Sequence, residues 1–186
     1  MTEQPGLSAV VGAAAAHRGL HARDDIHEAG WTFWELRNLN MHRVVGLIDE
    51  PRTFADVGDL EHEIRAAVAR HFTRAWWRGL AFGVVARVEP TSWRPEDLEP
   101  VVDIRERRAA VLQWIVLVNP DGHSAVGVHT WEQVYLSPVY QETLTALTTS
   151  GYQVATAVKG KDGLLRFLTD LSEWRGVSFP EFHDRP

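Results

Sequence analysis

His129, Trp131 and Glu132, with Tyr135 three residues further on, come nearest to a reactive group in this sequence. An imidazole can move a proton, a neighbouring carboxylate can orient it, and aromatic rings can wall a ligand. The run LQWIVLV at 112–118, the turn NPDG at 119–122 and the run HSAVGVHTW at 123–131 read as a buried β-hairpin. Counting back from that turn places Val118 opposite His123 and Leu112 opposite His129, with Trp114 close by. Arg107 and Arg108 then fall near Glu132. The expected site is a small polar pocket of His129, Trp131, Glu132, Tyr135, Arg108 and Trp114, suited to an anionic or aromatic ligand. The plainer reading makes His129 a satisfied sheet histidine and Arg108 with Glu132 a surface ion pair worth about 0–1 kcal/mol. No serine or threonine stands in a nucleophile elbow, so no catalytic residue is assigned.

A second candidate is VKGKDG at 158–163, which carries both lysines of the chain, Lys159 and Lys161, around Gly160. A helix is predicted to start just after it, near Asp162. Free backbone N–H groups there, with two flexible cations, would favour a phosphate or carboxylate. The spacing is not that of a P-loop.

Metal chemistry finds little support. With no cysteine among 186 residues, disulfides, thiolate catalysis and Cys-ligated zinc or iron–sulfur clusters are excluded. His123 and His129 lie six apart on one strand, about 20 Å at about 3.3 Å per residue, too far to share an ion. His17 and His21 would share a helix face with Asp24, Asp25 and His27 downstream, but in a polar, alanine-rich terminal segment. No metal site and no cofactor are assigned. The segment DIRERR at 103–108 and Trp76, Trp77 and Arg78 interleave cations with aromatics, as single-stranded nucleic-acid binders do. Nineteen basic against twenty-five acidic residues, a net charge of −6, argue against that partner and against an anionic membrane.

The elements that must position these residues follow from periodicity. Asp25 and Glu28 have capping-box spacing, yet the following residues alternate as two strands around Arg37 to Asn40. DLEHEIRAAVARHFTRAWWRG places Leu60, Ile64, Val68, Phe72 and Trp76 on one helical face, with Asp59 to cap the start and Gly79 to end it. Leu80 to Val88 puts Phe82, Val84, Ala86 and Val88 on one side of a strand. Pro90, Pro95 and Pro100 make a surface excursion with one helical turn at Pro95 and Glu96. After the hairpin, Ser137 and Pro138 start a helix with Tyr140, Leu144 and Leu147 inward and Gly151 at its end. Tyr152 to Val158 is a strand, and Leu164, Leu165, Phe167, Leu168, Leu171 and Trp174 read as the stripe of a last helix.

These elements predict one α+β domain over 25–176: a mixed, mostly antiparallel sheet with helices on one face, loosely ferredoxin-like. Residues 1–24 read as a flexible or loosely helical N-terminal tail, Leu7 to Ala16 lacking the positive start of a signal peptide, and 177–186 as a C-terminal tail. No stretch approaches a membrane span. The arginine and alanine bias suggests a bacterial source, and the cytoplasm is the default compartment. With no motif for chemistry, the composition favours a non-catalytic interaction or regulatory protein. Its partner would be another protein or a second copy of itself, met through an open sheet edge or an aromatic patch with two or more of Trp34, Trp77, Trp93 and Trp131. The alternative is a small-molecule binder or enzyme using the His129 pocket.

Overall fold

The computed structural model describes residues 6–38, 41–53, 57–72, 79–89, 93–102, 110–130, 136–160 and 164–168. In chain order the elements are α1 (Leu7–His17), β1 (His21–Ala22), β2 (Trp31–Arg37), β3 (Met41–Arg52), α2 (Val57–His71), β4 (Gly79–Val88), α3 (Pro95–Leu98), β5 (Ala110–Asn119), β6 (Ser124–Thr130), α4 (Ser137–Thr149), β7 (Gln153–Lys159) and β8 (Leu165–Leu168). The eight strands form one mixed sheet in sequential order, β1 through β8. Four neighbouring pairs are antiparallel, whereas β3–β4, β4–β5 and β6–β7 are parallel.

Alternation along the central strands builds two cores. One face carries Phe33, Val44, Phe82, Val84, Ile115 and Val128, and is covered by Leu60, Ile64 and Val68 of α2 and Leu98 of α3. The other carries Trp34, Val45, Leu47, Val85, Trp114 and Val116, under Val11 and Ala15 of α1 and Tyr140 and Leu144 of α4. Helices on one face were the expectation, and this arrangement corrects it. Parallel crossovers are right-handed. Strand direction reverses at the β5–β6 hairpin while the sheet keeps growing in the same direction, so the next crossover, α4, must pass over the opposite face from α2 and α3. The loosely ferredoxin-like expectation is not met by this arrangement: the eight strands lie in sequential order, β4–β5 and β6–β7 are direct parallel neighbours, and α3 and α4 cover opposite faces.

Two more expectations change. The segment read as an N-terminal tail supplies α1, whose Val11 and Ala15 are fully buried, and β1, which pairs with β2. Alanines and valines too weak to signal a helix by amphipathicity still bury well against a sheet already apolar on that side. The final helix predicted from Asp162 is replaced, where described, by β8 over Leu165–Leu168. Gly160 N–H donates to the Leu164 carbonyl at 2.8 Å, closing the turn that returns β8 onto β7. The edge of β7 offers those backbone groups partners that a helical periodicity cannot anticipate.

Candidate functional site

The hairpin places the predicted residues. Pro120, Asp121, Gly122 and His123 form its loop, with His123 in a left-handed conformation at φ 47 and Gly122 N–H held by the Asn119 side chain at 3.0 Å. Asn119 therefore faces Ser124, and the register puts Val118 opposite Ala125 and Trp114 opposite His129. The expected partners, His123 for Val118 and Leu112 for His129, are off by two residues because the turn lies one residue later on each strand. A two-residue slip keeps every side chain on its face, so His129 still meets the ring expected near it.

Trp114 owes its position to a bulge. Phe82 faces Leu112 but Gly83 faces Trp114, so Gln113 is an extra, fully buried residue in β5. The Trp114 indole then lies over Gly83, where a Cβ would stand 2.1 Å from Cε2. From α4, Tyr140 completes the group: its ring lies 5.5 Å from Trp114 and 5.2 Å from His129, and its hydroxyl hydrogen-bonds Thr156 of β7 at 2.5 Å. Gly127 leaves room for that hydroxyl, since a Cβ there would come within 2.6 Å of it.

Sealing decides what this cluster can do. Trp114, His129 and Tyr140 have no exposed surface. Burial pushes the His129 imidazole down to about 3, more than the backbone contact at Thr130 raises it, so the ring is neutral near pH 7. Burial also drives the Tyr140 hydroxyl well above its ordinary range, against the lowering effect of Thr156. Both groups stay uncharged, and neither reaches solvent. The Trp114 indole N–H, buried, has no hydrogen-bond partner among the described residues.

Of the predicted pocket, the structure thus brings together His129 and Trp114, and adds Tyr140 and Thr156. Tyr140 reads in sequence as one more apolar stripe residue, though a buried tyrosine hydroxyl calls for a partner. Arg108, Trp131, Glu132 and Tyr135 lie outside the described residues. So does Lys161, while Lys159 makes an ion pair of 2.7 Å with Glu99, just after α3. The expected helix start near Asp162 lies outside the described residues, and from Leu165 the chain is β8.

Sequence reasoning missed a second polar group on the α2 face. Glu35 of β2 accepts hydrogen bonds from His42 of β3 at 2.7 Å and from Arg37 at 3.3 Å, and makes an ion pair with Arg23 at 2.7 Å. Burial pushes the Glu35 carboxyl up, but the His42 hydrogen bond and the charges of Arg23 and Arg37 outweigh it and hold the group below its ordinary value. Nearby, Glu28 takes Arg70 on one oxygen and His71 on the other, the latter at 2.7 Å, and both contacts lower its carboxyl. Phe33 and Phe72 join the two groups, with Phe72 against His42 and Phe33 against His71. These ion pairs fasten the 23–28 loop and the end of α2 to the sheet. Only the regular spacing of Glu35 and Arg37 on one strand face hinted at them.

The metal-type spacing of His17 and His21 dissolves: His17 ends α1 and hydrogen-bonds Glu142 of α4 at 3.0 Å, whereas His21 begins β1. Among the described residues no group of three or more His, Asp or Glu is placed to hold an ion. Comparison with known proteins decides nothing further. No family model, curated protein or solved structure matches this chain. Among the described residues no helix is long and apolar enough to cross a membrane.

Proposed function

We propose that the protein is a non-catalytic interaction module that accepts an extended strand of a partner polypeptide along β8. The observation that supports it is the pair Leu164 and Phe167, 64% and 52% exposed, which are the exposed large hydrophobic side chains among the described residues. Phe167 sits on β8 and Leu164 just precedes it; β8 is last in the sheet order, and among the described residues no strand pairs with its outer side, the kind of edge to which a strand can add. Phe167 stands opposite Ala157 of β7 and exposes its ring beside that edge. The tryptophan patch has less behind it: Trp34 is buried beneath α1, Trp93 is half-buried against the core, and Trp77 and Trp131 lie outside the described residues. The alternative, a ligand pocket built on His129, also has less behind it, because His129 and Trp114 are sealed. A cytoplasmic, bacterial setting goes with the proposal on composition alone.

The test is site-specific photo-crosslinking from position 164 in the cell that makes the protein, with and without Phe167→Glu. Crosslinks that map to an extended segment of one partner, and vanish in the variant, support strand addition. Sedimentation then shows whether that partner is a second copy. Crosslinks that persist unchanged in Phe167→Glu, or none at all, overturn the proposal.

A further inference from the structure

Open sheets bind ligands beyond the carboxyl ends of parallel strands, where departing loops leave polar groups unpaired. β3 and β4 are such a pair, and near their carboxyl ends the ladder slips: Ile48 faces Ala86, but the next match is Arg52 with Val88. Asp49, Glu50 and Pro51 therefore stand against Arg87 alone. A bulge of this kind re-aims side chains, and adjacent residues can then serve one side. A cavity of about 310 Å³ opens there, lined by Gly30, Trp31, Thr32, Asp49, Glu50 and Arg87. It is a shallow, open depression with room for a small organic molecule.

The charges lining this cavity do not satisfy one another. Arg23, Arg18, Arg65 and Arg70 all hold carboxylates closely. Arg87, half-buried, forms no ion pair or side-chain hydrogen bond among the described residues, and neither does the Asp49 carboxylate. Among the described residues Glu50 makes one ion pair, with Arg52 at 4.0 Å. Gly30, at φ 74, leaves room for the exposed Glu50 carboxylate beside it, since a Cβ would stand 2.9 Å from its Oε2.

We propose that this cavity binds a small zwitterion of the α-amino-acid class, its carboxylate on Arg87 and its ammonium between Asp49 and Glu50. Two carboxylates repel a ligand that is only an anion. A simple cation leaves the guanidinium unmatched, and Arg87 opposes a divalent metal. A molecule with both charges a few ångströms apart satisfies both, and a guanidinium offers a carboxylate two parallel donors. The inference does not depend on the β8 edge.

The experiment is a titration of the isotope-labelled protein with L-alanine, followed by amide NMR shifts, beside parallel titrations with acetate and with methylammonium. Saturable shifts confined to Gly30–Thr32, Asp49–Glu50 and Arg87 are expected, with a Kd on the order of 1 mM. Acetate and methylammonium should each bind at least about tenfold more weakly, as should alanine to Arg87→Gln and to Asp49→Asn, a change of about one decade each. The spectrum of each variant reports its own folding, and either one alone suffices. Shifts that do not saturate, equal binding of acetate or methylammonium, or unchanged binding in a folded variant overturn the proposal.

Discussion

Trp114 and His129 stand directly opposite each other on the antiparallel strands β5 and β6, both without exposed surface, and share the ring of Tyr140 as a common neighbour. An ionisable side chain is thereby locked neutral in the centre of the molecule. The consequences fall on stability, and they can be measured.

The first concerns acid. The folded pKa of His129 lies at about 3, below the ordinary 6.5, so the unfolded chain binds a proton that the folded chain refuses. Stability is fully present above pH 6.5 and falls as the pH drops toward 3, by about 1.4 kcal/mol per pH unit from this residue. His129→Gln, which cannot titrate, should flatten that part of the slope in urea unfolding series between pH 6.5 and 4. An unchanged slope would place the acid sensitivity elsewhere.

A second prediction isolates the buried hydrogen bond. Tyr140→Phe and Thr156→Val each remove the bond between the two hydroxyls and take one partner from a buried polar group, each costing about 1–3 kcal/mol. Both groups are buried. The double variant should lose clearly less than the sum of the two, because the bond they share is lost only once. Strict additivity in a denaturant double-mutant cycle would mean the two hydroxyls do not interact.

Gly83 tests the bulge. The Cβ of Gly83→Ala would meet the Trp114 indole at 2.1 Å, and the ring is enclosed on every side. We expect a loss of about 3 kcal/mol or more. Trp114→Leu, costly alone, should restore part of that loss when combined with Gly83→Ala. Thermal unfolding of the three variants shows whether the two positions compensate.

Glu35 gives a pH signature of opposite chemistry. Its carboxyl is held low by His42, Arg23 and Arg37 against the effect of burial, so its contribution is present above about 4.5 and is lost as the pH falls through the folded value. Glu35→Gln should cost about 1–3 kcal/mol at pH 7. The difference from the parent protein should shrink below pH 4.5. A cost independent of pH would indicate lost packing rather than lost charge.

Much of the fold is legible in local periodicity. Leu60, Ile64 and Val68 on one helical stripe, the alternation from Leu80 to Val88, the Ser137–Pro138 helix start and the apolar runs either side of Asn119 all follow from how side chains point along helices and strands, and all recur in the structure, with Phe72 buried just past the end of α2. Those signals are properties of a few neighbouring residues, so the sequence alone determined these elements and their buried faces.

What joins them is non-local, and only the tertiary structure decided it. Whether Leu165 to Leu168 continue as a helix or pair with β7 depends on an unsatisfied strand edge supplied by residues that precede them. Which face α4 covers depends on the strand reversal at the hairpin. The two-residue register slip that sets Trp114 rather than Leu112 against His129 depends on His123 taking a left-handed turn, and the bulge at Gln113 on an indole that fits only over a glycine from another strand. Each is a choice among pairings that local propensity leaves nearly equal, and it is made by the burial and hydrogen bonding of the whole sheet.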